Sequence, residues 1–234
     1  MSNIIGEGFD PKITKQVDVR QSIYGSLNRN NETLTYLNNR NGWCKLVSSV
    51  DIKNPQLRKT TFTESDMASQ FVLFNGVTNE SPTKGTEETY QRSGIWDGGG
   101  GVFGLNPMPG ITSVVVKTET RGSLKTATIN INANNKYQFD IIDTLYLRLG
   151  FSMLLEWGNN CYYTNDKQFI SDNQLSLADD FLTNKLTYDN YYNKIKEKVS
   201  KSCGNYDAIV GKVVNFNWTI EKDGSYNIII ILRS

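Results

Sequence analysis

Histidine is absent from this chain of 234 residues. A serine or cysteine triad that depends on imidazole is therefore excluded, and no histidine is available to bind a metal. The three cysteines, Cys44, Cys161 and Cys203, are too few and too widely spaced for a disulfide framework or a four-cysteine zinc site. The sequence thus predicts no catalytic residue, no cofactor and no metal site, and we expect that the protein is not an enzyme.

Charge imbalance and long apolar runs are also missing. The chain carries 25 Lys+Arg against 24 Asp+Glu, so no basic surface indicates direct, sequence-specific binding of nucleic acid. No stretch reaches the roughly 18 consecutive apolar residues that a membrane span requires. Residues 1–10 have neither the basic nor the apolar region of a signal peptide. We therefore expect no membrane span and synthesis in the cytoplasm.

Glycine and proline are concentrated in residues 97–110, which include four consecutive glycines. A phosphate-binding loop would need a preceding strand and a Lys-Ser/Thr pair at the start of a helix, whereas Val102 and Phe103 follow here. The stretch therefore indicates a connector. Trp96 and Phe103 are the aromatic residues that we expect to contact a neighbouring subunit from this region.

Three carboxylates are candidates for an acid or a base. Asp140 and Asp143 are three residues apart on a predicted helix, where two such groups are usually only solvated. Glu156 precedes Trp157 in an apolar strand, an environment that would raise the pKa of a carboxyl group. Such a residue more often points outwards or pairs with Lys or Arg across a strand, so we assign no catalytic role to any of the three.

Hydrophobic periodicity divides the chain into two parts. Residues 1–60 show little of it and predict an N-terminal arm and irregular segment, although a strand is expected at 43–50. Residues 61–234 predict a β-rich domain. Its strands are expected at 71–74, 111–118, 125–131, 151–157, 161–164, 214–220 and 226–232, with the segments 151–157 and 161–164 joined by a turn at Asn159-Asn160.

A packed helix and a helical insertion are predicted within this domain. Apolar residues at 137–149 recur with the spacing of one helix face, and a second amphipathic helix at 187–202 belongs to a helical insertion at about 165–204. The predicted fold class is α+β: a mainly antiparallel β-barrel or sandwich with one packed helix and a helical insertion.

The closing hairpin is the clearest element of the sequence. Its turn is Asp223-Gly224, a strong hairpin signal. In its second strand the residues on both faces are apolar, which predicts that the strand is covered on both sides. Ile229 and Ile231, on the second face, are therefore predicted to be buried or to form intersubunit contacts.

A string of motifs resembles a family of virion structural proteins of tailed phages, covering roughly residues 70–233. The motifs are FVLFNG at 71–76, PMPGITSV at 107–114, RGSLKTA at 121–127, QFDIIDTLYLRLG at 138–150, LLEWG at 154–158, GNYD at 204–207, NFNW at 215–218 and DGSY at 223–226. Their order is similar to that of the tube-type domain in contractile-tail baseplate hub proteins. Members of the family run past the last hairpin, whereas this sequence stops at Ser234.

The resemblance implies a mechanical role and supplies no catalytic residues. The protein would be a hub or adaptor that forms a ring, as a trimer or hexamer, between the tail tube and the spike or baseplate. Its partners would be other virion proteins, and its location the tail or baseplate of the particle after synthesis in the host cytoplasm.

Two alternatives remain open at this stage. A minor capsid or vertex protein of a large DNA virus would use the same kinds of residues. A carbohydrate-binding module of a receptor-binding protein would present exposed aromatic side chains, among which Trp96 is the candidate.

Overall fold

The computed structural model describes residues 11–50, 68, 71–76, 107–119, 124–171, 176–183 and 187–234. The helices are α1 (Pro11–Tyr24), α2 (Asn31–Asn39), α3 (Lys136–Tyr146), α4 (Ala178–Thr183) and α5 (Tyr188–Lys201). The strands are β1 (Gly42–Ser48), β2 (Leu73–Gly76), β3 (Gly110–Glu119), β4 (Leu124–Ala133), β5 (Ser152–Asn159), β6 (Tyr162–Tyr163), β7 (Phe169–Ile170), β8 (Tyr206–Ile220) and β9 (Tyr226–Arg233). Within these ranges, no helix is both long and apolar enough to cross a membrane.

Seven strands form one antiparallel sheet in the order β2-β1-β5-β8-β9-β4-β3. The long strand β8 joins its two halves, because residues 206–212 pair with β5 and residues 212–220 pair with β9. At the two ends of the sheet, β2 and β3 approach each other, and a Cβ atom on Gly110 would lie 3.3 Å from the carbonyl oxygen of Phe74. The sheet is therefore curled into a half-barrel, and the fold is α+β with mainly antiparallel strands, as the sequence predicted.

The main core lies on the side of the sheet that packs against α3, called here the inner face. Alternate residues of β4 point into it, and Ala127, Ile129 and Ile131 are fully buried as their period of two predicted. Helix α3 is capped by Asn135, whose side chain accepts a hydrogen bond from the backbone N–H of Gln138 (2.9 Å). The buried Tyr146 hydroxyl lies 3.1 Å from the carbonyl oxygen of Leu46, which ties the helix to β1.

A second core lies on the opposite face of β1, β5 and the first half of β8. Helices α4 and α5 cover this face, and Tyr191 and Ile195 of α5 are buried against it. The amphipathic pattern of residues 187–202 correctly predicted α5, although Tyr188 and Tyr192, which it places on the same side as Tyr191, are 54% and 49% exposed. The helical insertion thus forms a second layer on one half of the sheet.

The structure corrects the sequence interpretation in the N-terminal region. Helices α1 and α2 occupy residues expected to be extended or irregular, and they pack on β6 and β7 through a third cluster that contains Val19, Tyr36 and Tyr163. The periodicity is weak because the buried side of α1 includes Gln16, whose Nε2 donates to the carbonyl oxygen of Tyr163 (3.1 Å).

Two element boundaries also differ from the prediction. Helix α3 ends at Tyr146 and not at 149, because the N–H of Leu147 bonds to the carbonyl oxygen of Ile142 in a widened last turn. Strand β6 pairs with β7 and does not fold back on β5. The reason is Asn160, whose side chain accepts from the N–H of Asn41 (2.8 Å) and donates to the carbonyl oxygen of residue 39 (2.7 Å), so the chain turns towards the α2–β1 loop.

Candidate functional site

The predicted contact residues Ile229 and Ile231 lie side by side on the face of β9 that is opposite to the inner face. Both are half-buried, whereas Ile228 and Ile230 are completely buried in the core. Their cross-strand neighbours on this outer face are Thr128 and Asn130 of β4 and Asn215 and Asn217 of β8. The outer face is thus an apolar centre surrounded by neutral polar side chains.

The outer face continues onto β3, the edge strand. Val115 pairs with Thr128 and is 49% exposed. Ser113 pairs with Asn130, and the side chains of these two residues are hydrogen bonded (2.7 Å). Short hydroxyl and amide groups therefore surround Ile229 and Ile231, whereas the charged side chains of this face lie together at one end: Lys117, Glu119, Lys212 and Arg233.

One edge of the second half of β8, called here the free edge, has no strand beside it among the described residues. Strand β8 makes its last backbone hydrogen bonds on the β5 side at Val213, whose N–H donates to the carbonyl oxygen of Phe151 (3.0 Å). Beyond Val213, no described strand lies on that side. The N–H groups of Phe216 and Trp218 point there and, among the described residues, donate to the side-chain oxygens of the preceding Asn215 (2.9 Å) and Asn217 (2.8 Å).

Large apolar side chains are exposed along this free edge. Val214, Trp218 and Ile220 are 48%, 42% and 60% exposed, respectively. Trp218 packs against Phe139 of α3 with ring centroids 4.9 Å apart, so its indole is held at the edge by the core. An exposed strand edge with apolar side chains is a template for pairing with another chain.

The buried carboxylate of Glu156 has a structural role, because it accepts hydrogen bonds from several neighbouring groups. It accepts hydrogen bonds from the N–H of Leu177 (2.8 Å), the hydroxyl of Tyr206 (3.0 Å) and the hydroxyl of Ser176. Lys45 is also buried and is the cross-strand partner of Glu156 on β1. A lysine opposite the carboxylate is the arrangement expected from the sequence. The carboxylate is completely buried, and its contacts fasten the start of α4 to the sheet.

The other residues singled out in the sequence give no further functional group. Trp96 and Phe103 lie outside the described residues. Asp140 pairs with Lys136 one helical turn away (2.7 Å) on the solvent side of α3, as a solvated carboxylate is expected to do. In the described ranges, no three His, Cys, Asp or Glu side chains are grouped so that they could hold a metal ion.

Comparisons with known proteins leave the chain without an assigned relative. No family model, no curated protein and no solved structure matches it. The outer face and the free edge of β8 are therefore interpreted from their own chemistry.

Proposed function

We propose that this chain is a structural component of a virus particle, a tail or baseplate hub or adaptor protein that forms a ring of several copies between the tail tube and the spike or baseplate. The resemblance of its motifs to virion proteins of tailed phages supports this role. The observation that carries the proposal is the edge of β8 at residues 214–220, beside which no described strand lies and along which Val214, Trp218 and Ile220 are exposed.

The free edge is suited to a contact between proteins because it offers both hydrogen bonds and apolar area. Monomeric proteins usually protect such edges with charged side chains or proline. Residues 214–220 contain neither. Asn215 and Asn217 accept hydrogen bonds from the backbone N–H groups of Phe216 and Trp218 at this edge. A neighbouring strand would replace the asparagine acceptors and bury Val214 and Ile220.

The solution mass tests the assembly part of the proposal. The subunit mass is 26.4 kDa, and light scattering at several protein concentrations is expected to give a trimer or a hexamer. Val214→Lys and Ile220→Lys place a charge at the free edge without removing a buried side chain, and each is expected to shift the mass towards that of the monomer.

A matched variant separates this effect from a general gain in solubility. Leu27→Lys makes the same kind of change at a fully exposed leucine between α1 and α2, and its mass should equal that of the parent. A parent that stays monomeric at all concentrations, or an oligomer that survives both edge substitutions, would rule out assembly through this edge.

The location of the protein tests the virion part of the proposal. Particles of the virus that encodes the chain would be separated into heads and tails, and each fraction would be probed by peptide mass spectrometry. Recovery in the tail fraction is expected. Recovery only in capsids without tails would instead support a minor capsid or vertex protein.

A further inference from the structure

Two arginines from different elements converge on one neutral side chain. Arg20 of α1 and Arg40, which follows α2, each direct Nη2 towards Oδ1 of Asn205, at 3.5 Å and 3.3 Å respectively. Both distances are longer than those of most N–H···O hydrogen bonds. Because a guanidinium group carries five N–H donors, Asn205 uses only a small part of what the two side chains can donate.

Asn205 holds the shared oxygen in a fixed position. The residue is buried just after α5, and its Nδ2 donates to the carbonyl oxygen of Ser202 (2.9 Å), which orients Oδ1 towards the arginines. The backbone carbonyl of Asn205 also accepts a hydrogen bond from the N–H of Asn159 in β5 (3.1 Å). The acceptor on which the two arginines converge is therefore well anchored and uncharged.

No carboxylate compensates these two positive charges in the described part of the chain. Neither arginine forms a salt bridge there, and Nε of Arg40 is buried without a hydrogen-bond partner. The two Nη2 atoms reach the same oxygen, so they lie less than about 7 Å apart and their like charges repel each other. An anion that contacts both guanidinium groups would remove this repulsion.

A buried tyrosine places a third donor beside the arginines. Tyr36 of α2 is 2% exposed, and its hydroxyl has no hydrogen-bond partner among the described residues. The guanidinium carbon of Arg40 lies 5.4 Å from the centre of its ring. Burial raises the pKa of the Tyr36 hydroxyl, whereas the positive charges of Arg40 and Arg20 act to lower it. Both charges therefore act at this hydroxyl, which stays protonated at neutral pH and is able to donate.

We propose that Arg20, Arg40 and Tyr36 bind a phosphate group in its dianionic form. The two guanidinium groups donate to different phosphate oxygens, for which their planar forks are well suited, and the tyrosine hydroxyl donates a further hydrogen bond. Two positive charges balance a dianion, whereas a carboxylate or a phosphate diester would neutralise only one of them. Both arginines are half-buried, so part of each side chain is accessible to a ligand. The site does not use the free edge of β8, and its ligand would bind whether or not the chain forms the oligomer proposed above.

Inorganic phosphate is the first probe, and the Nε–H signals of the arginine side chains in NMR spectra of the full chain are the readout. Phosphate is expected to shift the signals of Arg20 and Arg40 saturably. The signal of Arg29, which is exposed between α1 and α2, should not move. No saturable shift at Arg20 and Arg40 would overturn the proposal.

Three further anions define the class of ligand. Methyl phosphate, a monoester, is expected to bind as inorganic phosphate does. Dimethyl phosphate and acetate carry a single charge and are expected to bind at least about tenfold more weakly. Equal binding of dimethyl phosphate would show that the site accepts a diester, the group found in a nucleic-acid backbone, and would overturn the assignment to a dianion.

The pH dependence of binding gives an independent check on the charge of the ligand. A phosphate monoester loses its second proton near pH 6. The chain has no histidine, and arginine side chains stay protonated throughout this range. Burial raises the pKa of the nearby Cys161 thiol as well as that of Tyr36, so neither group titrates there. The affinity for methyl phosphate is therefore expected to rise roughly fivefold to tenfold between pH 5 and pH 7.5, and a constant affinity would contradict binding of the dianion.

Substitutions on the protein complete the test. Arg20→Gln and Arg40→Gln are each expected to weaken binding of inorganic phosphate at least about tenfold, whereas Arg29→Gln removes the same charge at an exposed position and should leave it unchanged. Tyr36→Phe removes only the hydroxyl, so circular dichroism should show an intact fold, and binding should weaken roughly threefold to tenfold. Unchanged affinity in the Arg20, Arg40 and Tyr36 variants would show that these side chains do not bind the phosphate and would overturn the proposal.

Discussion

The hydroxyl of Tyr206 donates a hydrogen bond of 3.0 Å to Oε2 of Glu156, and both side chains are buried between the sheet and helices α4 and α5. Burial raises the pKa of the Tyr206 hydroxyl, and the adjacent Glu156 carboxylate raises it further. The phenol therefore stays protonated and remains a donor. Together with the N–H of Leu177, it compensates a carboxylate that has lost its water.

Replacement of Glu156 by Ala is expected to destabilise the protein by about 3–5 kcal/mol, because the buried donors around it lose their acceptor. Glu156→Gln keeps one side-chain oxygen as an acceptor and should cost less. Urea unfolding followed by circular dichroism measures both variants. Glu221→Ala, at the exposed closing turn, is the control and should change stability by less than about 0.5 kcal/mol. An equally small change for Glu156→Ala would contradict a structural role for the carboxylate.

Stability is expected to fall at alkaline pH. Burial raises the pKa of both Tyr146 and Tyr206 above the ordinary value of 10.0. Above about pH 10, the unfolded chain releases these protons while the folded chain keeps them, so the free energy of unfolding decreases by up to about 1.4 kcal/mol per pH unit for each group. Below about pH 9, neither state releases them, and this contribution is constant.

Urea unfolding at pH 8, 10 and 11 measures this dependence. Tyr146→Phe removes one of the two groups, and its slope above pH 10 should be shallower than that of the parent by up to about 1.4 kcal/mol per pH unit. The comparison between parent and variant isolates the tyrosine, since the lysines titrate in both. Identical slopes would show that Tyr146 does not remain protonated in the folded protein.

The sequence pattern predicted strands correctly where one face of the strand is buried and the other is polar. Residues 127, 129 and 131 alternate strictly and lie in the core, and Asp223-Gly224 forms the closing turn, where Gly224 has φ +84°. Helix α1 was not predictable in this way. Its buried face contains Gln16, which is accommodated by a hydrogen bond to a strand that lies 147 residues further along the chain. A local pattern contains no information about such a partner.

The candidate surfaces were predictable only in part. Apolar residues on both faces of the last strand drew attention to Ile229 and Ile231, which lie half-buried on the outer face, and their intersubunit contacts stay a prediction. The first half of β8 was missed, because Asp207 and Gly211 interrupt the apolar alternation before 214. The free edge depends on which strands flank β8, and the partner changes at Lys212. Pairing between distant segments is not encoded in the period of one strand.

The thiol of Cys44 is expected to react slowly in the folded protein. Burial raises its pKa to about 11, so only about 0.1% of the thiol is thiolate at pH 8, and the thiolate is the reactive form. Alkylation with iodoacetamide, quantified by peptide mass spectrometry, should be at least about tenfold slower for Cys44 in native buffer than in 8 M urea. Equal rates in the two solvents would show that the thiol is not protected by the fold.

Alanine substitutions at Gly76 and Gly224 distinguish the cost of a positive φ from the cost of a steric clash. Both have positive φ, +91° and +84°, which costs a residue with a side chain about 1–2 kcal/mol. A Cβ on Gly224 would meet nothing within 4 Å, whereas one on Gly76 would lie 2.8 Å from the Cα of Trp43 in β1. Gly224→Ala should therefore lower the free energy of unfolding by about 1–2 kcal/mol. Gly76→Ala should lower it further, because β2 must also move away from β1. Chemical denaturation of the two variants gives the comparison, and equal losses would mean that β2 shifts to admit the methyl group without cost.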